Sequence, residues 1–112
     1  MKTALITLAF IAMFSISCEK IDKACPDCIR DKIKEFAKSP ICQNEASVAL
    51  YVFQDQNVYV FSEGSCGADL GASVYSENCE KLGYLGGITG NLMINGVKFH
   101  ENAVFQKEIW HD

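Results

Sequence analysis

The chain has 112 residues, 49% of them hydrophobic and 21% charged, a composition ordinary for one globular domain and too short for two. Its net charge of −4, with no block of Lys or Arg to neutralise phosphates, argues against nucleic acid as a partner. A domain near this size buries only about two-thirds of its unfolded surface, so the six cysteines are expected to stabilise it as cross-links.

The first element in chain order is an address rather than a fold element. Lys2 supplies a positive start, and residues 4–16 (ALITLAFIAMFSI) form an apolar run interrupted only by Thr7 and Ser15. At 13 residues the run is too short to cross a hydrocarbon core of about 30 Å and right for the apolar region of a signal peptide. It begins at the initiator Met and has no polar face, which argues against a buried core helix. It ends in Ser15-Ile16-Ser17-Cys18, followed at once by Glu19-Lys20. This junction resembles the lipobox of bacterial lipoprotein precursors, with Ser15 where Leu is usual, a relaxation similar to that in Bacteroidetes lipoproteins. The resemblance implies that the Cys18 thiol receives a diacylglyceryl group and becomes the first residue after cleavage, so that a lipid bilayer is a partner. Ordinary signal peptidase cleavage is the alternative, because Ser15 and Ser17 also satisfy the small-x-small rule. The expected division is a signal peptide over 1–17, a lipid-anchored tether over 18–26 and a single domain over 27–112. Losing the segment with Lys2 takes the charge from −4 to −5. Residues 19–26 are mostly polar and aperiodic, a tether reaching at most about 28 Å.

Within the domain, Ile29, Ile33, Phe36 and Ala37 fall at i, i+4, i+7 and i+8, the stripe of an amphipathic helix. Asp27 is the expected N-cap, and Pro40 stops the helix near Lys38. Residues 48–53 and 58–61 are β-branched and aromatic runs around polar residues 54–57, a β-hairpin. A second hairpin is expected at Leu92-Met93-Ile94 and Val97-Lys98-Phe99, around Asn95-Gly96, a dipeptide suited to a type I′ turn in which both positions need positive φ. Residues 103–110 make a last strand. Residues 64–90 hold most of the glycines and two cysteines and are expected to be irregular, with a short strand at 73–75. The expected architecture is α+β: one N-terminal amphipathic helix packed on an antiparallel sheet of about four to six strands.

With Cys18 acylated, Cys25, Cys28, Cys42, Cys66 and Cys79 remain, an odd set that leaves one thiol unpaired or paired between molecules. The first pairing expected is Cys66 with Cys79, closing the glycine-rich excursion at its ends. The second is Cys28 with Cys42. It requires the chain to double back along a helix that puts Cys28 about 15 Å from the last turn. Cys25-Pro26-Asp27-Cys28 at a helix start has the C-x-x-C spacing of thiol redox sites, whose first cysteine is held as a thiolate. A thioredoxin-like site follows a strand, however, and here only a tether precedes the motif. No metal site is expected, since neither Cys66 with Cys79 nor His100 with His111 has the short ligand spacing of zinc sites. The glycines of residues 83–90 (GYLGGITG) lack the Lys and the spacing of a phosphate loop and belong to turns. His100 and His111 have no Ser or Asp arrangement around them and are expected at the surface. Both faces of the first hairpin are apolar; the helix covers one, and the other is either an exposed aromatic patch or covered by the C-terminal strands.

The succession CIRDKIKEFAKSPIC, VALYVFQDQNVYVF, GSCGAD, VYSENCEKLGYLGGITGN, MINGVKF and a terminal IW resembles small Bacteroidetes lipoproteins catalogued only as a domain of unknown function. The resemblance spans about residues 28–110 and implies a cell-envelope location. It carries no activity, cofactor or catalytic residue, and Cys25 looks like an addition to its pattern. The function expected is a non-enzymatic, membrane-anchored binding or structural domain, with an envelope protein as partner and no catalytic residue, metal or cofactor. The alternatives are a periplasmic hydrolase inhibitor using the Cys66 to Cys79 loop as a preorganised plug, and a thiol redox protein using Cys25 and Cys28.

Overall fold

The computed structural model describes residues 21–112. The expected signal segment and Cys18 lie outside the described residues. The first regular element, helix α1 (Asp27–Lys38), has the bounds the apolar stripe implies. It starts well inside the chain rather than at its N-terminus. Its cap differs from the expected one: Pro26 is the N-cap, and Asp27 is the first helical residue, where its carboxylate complements the positive end of the helix. Ser39 ends the helix one residue before Pro40.

Seven strands and a short second helix follow. β1 (Ser47–Phe53) and β2 (Gln56–Ser62) form the first hairpin, with Phe53 opposite Gln56. The loop is therefore two residues rather than four. Gln54 and Asp55 both take positive φ, 52° and 64°, the twist that lets a two-residue turn match the strands it joins. Within 64–90 the chain is more regular than its glycines suggest. β3 (Gly71–Ser76) and β4 (Lys81–Gly86) pair antiparallel, so the single short strand expected there is a second hairpin. β5 (Met93–Ile94) and β6 (Val97–Lys98) flank Asn95-Gly96, whose φ values of 53° and 75° are those the dipeptide predicts. Phe99, expected in that hairpin, instead opens α2 (Phe99–Asn102), and β7 (Val104–His111) closes the chain.

The main sheet has the order β4-β3-β2-β1-β7, every neighbouring pair antiparallel, with β5-β6 as a separate two-stranded piece. The fold is α+β with a five-stranded sheet. The period-2 alternation of β2 divides the core in two. Tyr59 and Phe61 join Ile29 and Ile33 of α1, Val48, Ile109 and Trp110 on one face. Val58 and Val60 join Phe53, Val74, Leu85, Ile94 and Phe99 on the other. Phe36 seats α1 through edge-to-face contacts with Phe61 at 5.4 Å and Trp110 at 6.0 Å.

Both sheet edges are protected. On β7 the pairing with β1 slips twice within the strand, and such bulges twist an edge away from ladder formation. On β4 the Asn91 backbone pairs both ways with Gly86, and its side-chain amide donates to the carbonyls of Tyr84 and Met93.

Two disulfides join the same four cysteines that were expected to pair, with partners exchanged. Cys28 bonds Cys79 across 51 residues and Cys42 bonds Cys66 across 24. The sheet decides this. The β3–β4 turn that carries Cys79 lies at the start of α1, where the Cys28 sulfur sits 3.7 Å from the Glu77 carbonyl. The loop after α1 meets the loop after β2, where Glu45 accepts from the backbone and hydroxyl of Ser65. The loop 66–79 is thus not closed on itself.

Candidate functional site

Residues 21–26, expected as a free tether, are docked on the domain. The Asp22 N–H donates to the Ile109 carbonyl at 3.0 Å, and the Asp22 carboxylate bonds Lys107 at 2.9 Å and the Ala24 N–H at 2.8 Å. Arg30 of α1 reaches back to the carbonyls of Asp22 and Lys23. The Lys107 hydrogen bond and then the Ala24 N–H hold the Asp22 carboxyl below the usual value of 3.8. A carboxyl whose folded-state pKa is depressed adds stability above its unfolded value and loses it as pH falls through the folded one. Amide exchange at Asp22 and Ala24 is therefore expected to be slow near neutrality and to lose its protection as pH falls below the usual carboxyl value of 3.8. Protection unchanged on that descent would show that the carboxylate does not hold the segment.

Cys25 lies at the centre of this docked stretch. It is buried, 5% exposed, among Ile29, Val48 and Tyr59, and its thiol faces the Pro26 carbonyl at 3.5 Å. Burial raises its pKa, whereas the first cysteine of a C-x-x-C redox centre is held as a thiolate near neutrality. The C-x-x-C pair is not joined to itself: Cys28 is bonded to Cys79 and Cys25 is free. Among the described residues no three His, Cys, Asp or Glu side chains gather as metal ligands, and no helix is long and apolar enough to cross a membrane.

On the face away from α1 the sheet carries a cleft of about 330 Å³. The cover expected from the C-terminal strands is present in part, and what it leaves open has an aliphatic floor rather than the exposed aromatic patch of the alternative. β5-β6 and α2 cover the end containing Phe53, Val58 and Val74, while the end containing Val60, Ala72 and Leu85 is left as the cleft floor. Ser62, Ala72 and Leu85 stand in register on adjacent strands, a row of about 10 Å at the usual strand spacing. Ala72 is the small residue in its middle. Tyr51 and His100 form one wall, their rings edge to face at 6.5 Å, and Asn91 and Leu92 form the other. Gly71 and Gly86 keep this corner tight: a Cβ on Gly71 would overlap the Leu85 carbonyl, and Gly86 takes φ 83°. His111 is exposed beside Asp112 and takes no part. Of the cleft residues, Tyr51 and Val60 lie in the hairpin expected from the sequence and His100 was expected at the surface, whereas Ala72 and Leu85 lie in the stretch expected to be irregular. Their signal was the strand pairing of 71–76 with 81–86, which the glycines obscured.

This is a small disulfide-linked α+β domain with an apolar cleft on one sheet face. The chain belongs to the family described as Domain of unknown function (DUF6970), which it matches over residues 34–112. The match begins inside α1, so Cys25 and Cys28 precede it while Cys42, Cys66 and Cys79 fall within it. No curated protein and no solved structure matches the chain.

Proposed function

We propose that the protein is a lipid-anchored domain of the cell envelope that binds a small apolar ligand without transforming it. The observation that carries the reading is the cleft: an apolar floor across three strands, ringed by a few polar groups, is the usual form of a ligand site. Two disulfides suit an oxidising compartment outside the cytoplasm, and the Cys18 junction supplies the anchor. Asn91, the amide at the rim, is committed to the carbonyls of Tyr84 and Met93, which leaves it a wall of the cleft rather than a reacting group.

The test compares wild-type, Ala72→Leu and Cys18→Ser precursors expressed in the native host. Wild-type protein should fractionate with membranes and carry a ligand visible by native mass spectrometry. Ala72→Leu fills the floor and should stay membrane-bound but lose the ligand at least tenfold. Cys18→Ser should leave the membrane. A ligand retained by Ala72→Leu would remove the cleft from this reading, and a membrane-bound Cys18→Ser would remove the anchor.

A second reading, inhibition of a hydrolase, can no longer use a loop closed by Cys66 and Cys79. It would rest on Ile88, 84% exposed at the tip of a turn closed by the Gly90 N–H and the Gly87 carbonyl at 3.1 Å. A stoichiometric hydrolase in a pull-down, lost in Ile88→Asp, would favour it.

A further inference from the structure

We propose that Cys25, Cys28 and Cys79 form a thiol–disulfide exchange set, in which the Cys25 sulfur displaces Cys28 from Cys79. The three cysteines meet at one corner of the domain. Cys25 stands three residues before Cys28, just outside the helix, and Cys79 packs against the apolar cluster that contains Cys25. The corner is shared from both sides: Cys25 and Tyr59 belong to the cluster that Cys79 packs against, and the Cys28 sulfur lies 3.7 Å from the Glu77 carbonyl in the turn that carries Cys79. The charged groups that act on the Cys25 thiol are Arg30, which favours the thiolate, and Asp22 and Asp27, which oppose it.

The step balances without an external oxidant or reductant. The Cys25 thiolate attacks Cys79 Sγ, the Cys25–Cys79 bond forms, the Cys28–Cys79 bond breaks, and Cys28 leaves as a thiolate that takes up the proton Cys25 gave to water. Cys28 sits in the first turn of α1, where the positive end of the helix stabilises a leaving thiolate. Cys25, whose burial keeps its thiolate scarce, supplies the stronger nucleophile once deprotonated, because nucleophilicity rises with thiol pKa. The exchange moves the point at which the chain is pinned to the β3–β4 turn three residues toward Cys18. It gives a role to a buried thiol that stands three residues from a disulfide in which it takes no part.

The decisive variant is Cys28→Ser, purified as the mature protein and mapped by fragmentation of disulfide-linked peptides. Cys25 and Cys79 are expected to be joined in nearly all molecules. Both thiols alkylated by N-ethylmaleimide after denaturation, in protein produced under oxidising conditions, would overturn the proposal. If that variant does not accumulate, the wild-type protein held with N-ethylmaleimide under native conditions at about pH 8.5 gives the same answer. Label on Cys28 together with a Cys25–Cys79 link supports exchange, rising about tenfold per pH unit below the thiol pKa. Label on Cys25 alone, or on neither, overturns it.

Discussion

Replacing Cys79 by Ser is expected to cost about 4 kcal/mol of stability, since the Cys28–Cys79 bond closes a loop of 51 residues and the entropy of closure grows with loop length. The same model gives about 3.5 kcal/mol for the 24-residue Cys42–Cys66 closure. The loss at Cys79 has a second source, because the bond is the covalent link between α1 and the sheet. Without it the helix is held to the sheet only by non-covalent contacts, chiefly the packing of Ile29, Ile33, Phe36 and Ala37 and the Lys32 ammonium over the Tyr75 ring. Urea titration of Cys79→Ser and Cys28→Ser separates the two cysteines: Cys79 has no substitute, whereas Cys28→Ser should lose far less if Cys25 takes its place. A Cys79→Ser midpoint equal to wild type would show that the bond is not formed in the native protein.

Phe99→Ala is the second large loss expected. The ring is fully buried, 4.9 Å from Phe53 and 5.3 Å from Tyr51, and it anchors α2 and the β5-β6 hairpin to the sheet. Removing a buried Phe costs about 3–5 kcal/mol, the spread reflecting how far the cavity collapses. Here collapse would pull on Tyr51, which also packs against Phe105 and His100. The variant should therefore lose both stability and the cleft wall, read as a lowered urea midpoint with loss of the bound ligand at denaturant concentrations where the protein is still folded. A stability loss with the ligand fully retained would detach α2 from the binding reading.

What was legible in the sequence was local. The α1 stripe and the Asn95-Gly96 turn each state their structure within a dozen residues, through side-chain period or a φ requirement. What escaped depended on distant pairings. β3 and β4 are short, and Gly83 and Gly86 break the second of them, so only their pairing with each other and with β2 shows that they are strands. The disulfide partners followed from the same missing step: placing Cys79 beside α1 requires knowing that 71–76 and 81–86 fold back on each other. Cys79 itself takes φ 67°, in the tight turn that makes that return. The cleft was half legible, because two apolar faces on one hairpin were evident while the row Ser62, Ala72 and Leu85 exists only across three strands. The docking of 21–26 was not legible, as the bonds from Asp22 reach Lys107 and Ile109 at the far end of the chain and Cys25 is buried only once that strand is in place.

That docking changes the reach of the protein. A free eight-residue tether would let the domain wander over a root-mean-square distance of about 16 Å from its anchor. With Asp22 clasped to β7, three peptide units separate Cys18 from Ile21, and three units span at most about 11 Å. If Cys18 carries the proposed lipid, the domain rides close against the membrane surface, on a leash too short to sample the space beyond it. Whatever enters the cleft would then be met in two dimensions, as a component of that surface or as a solute already gathered there. Releasing Asp22 would lengthen the leash only as far as Cys25, which the core still holds.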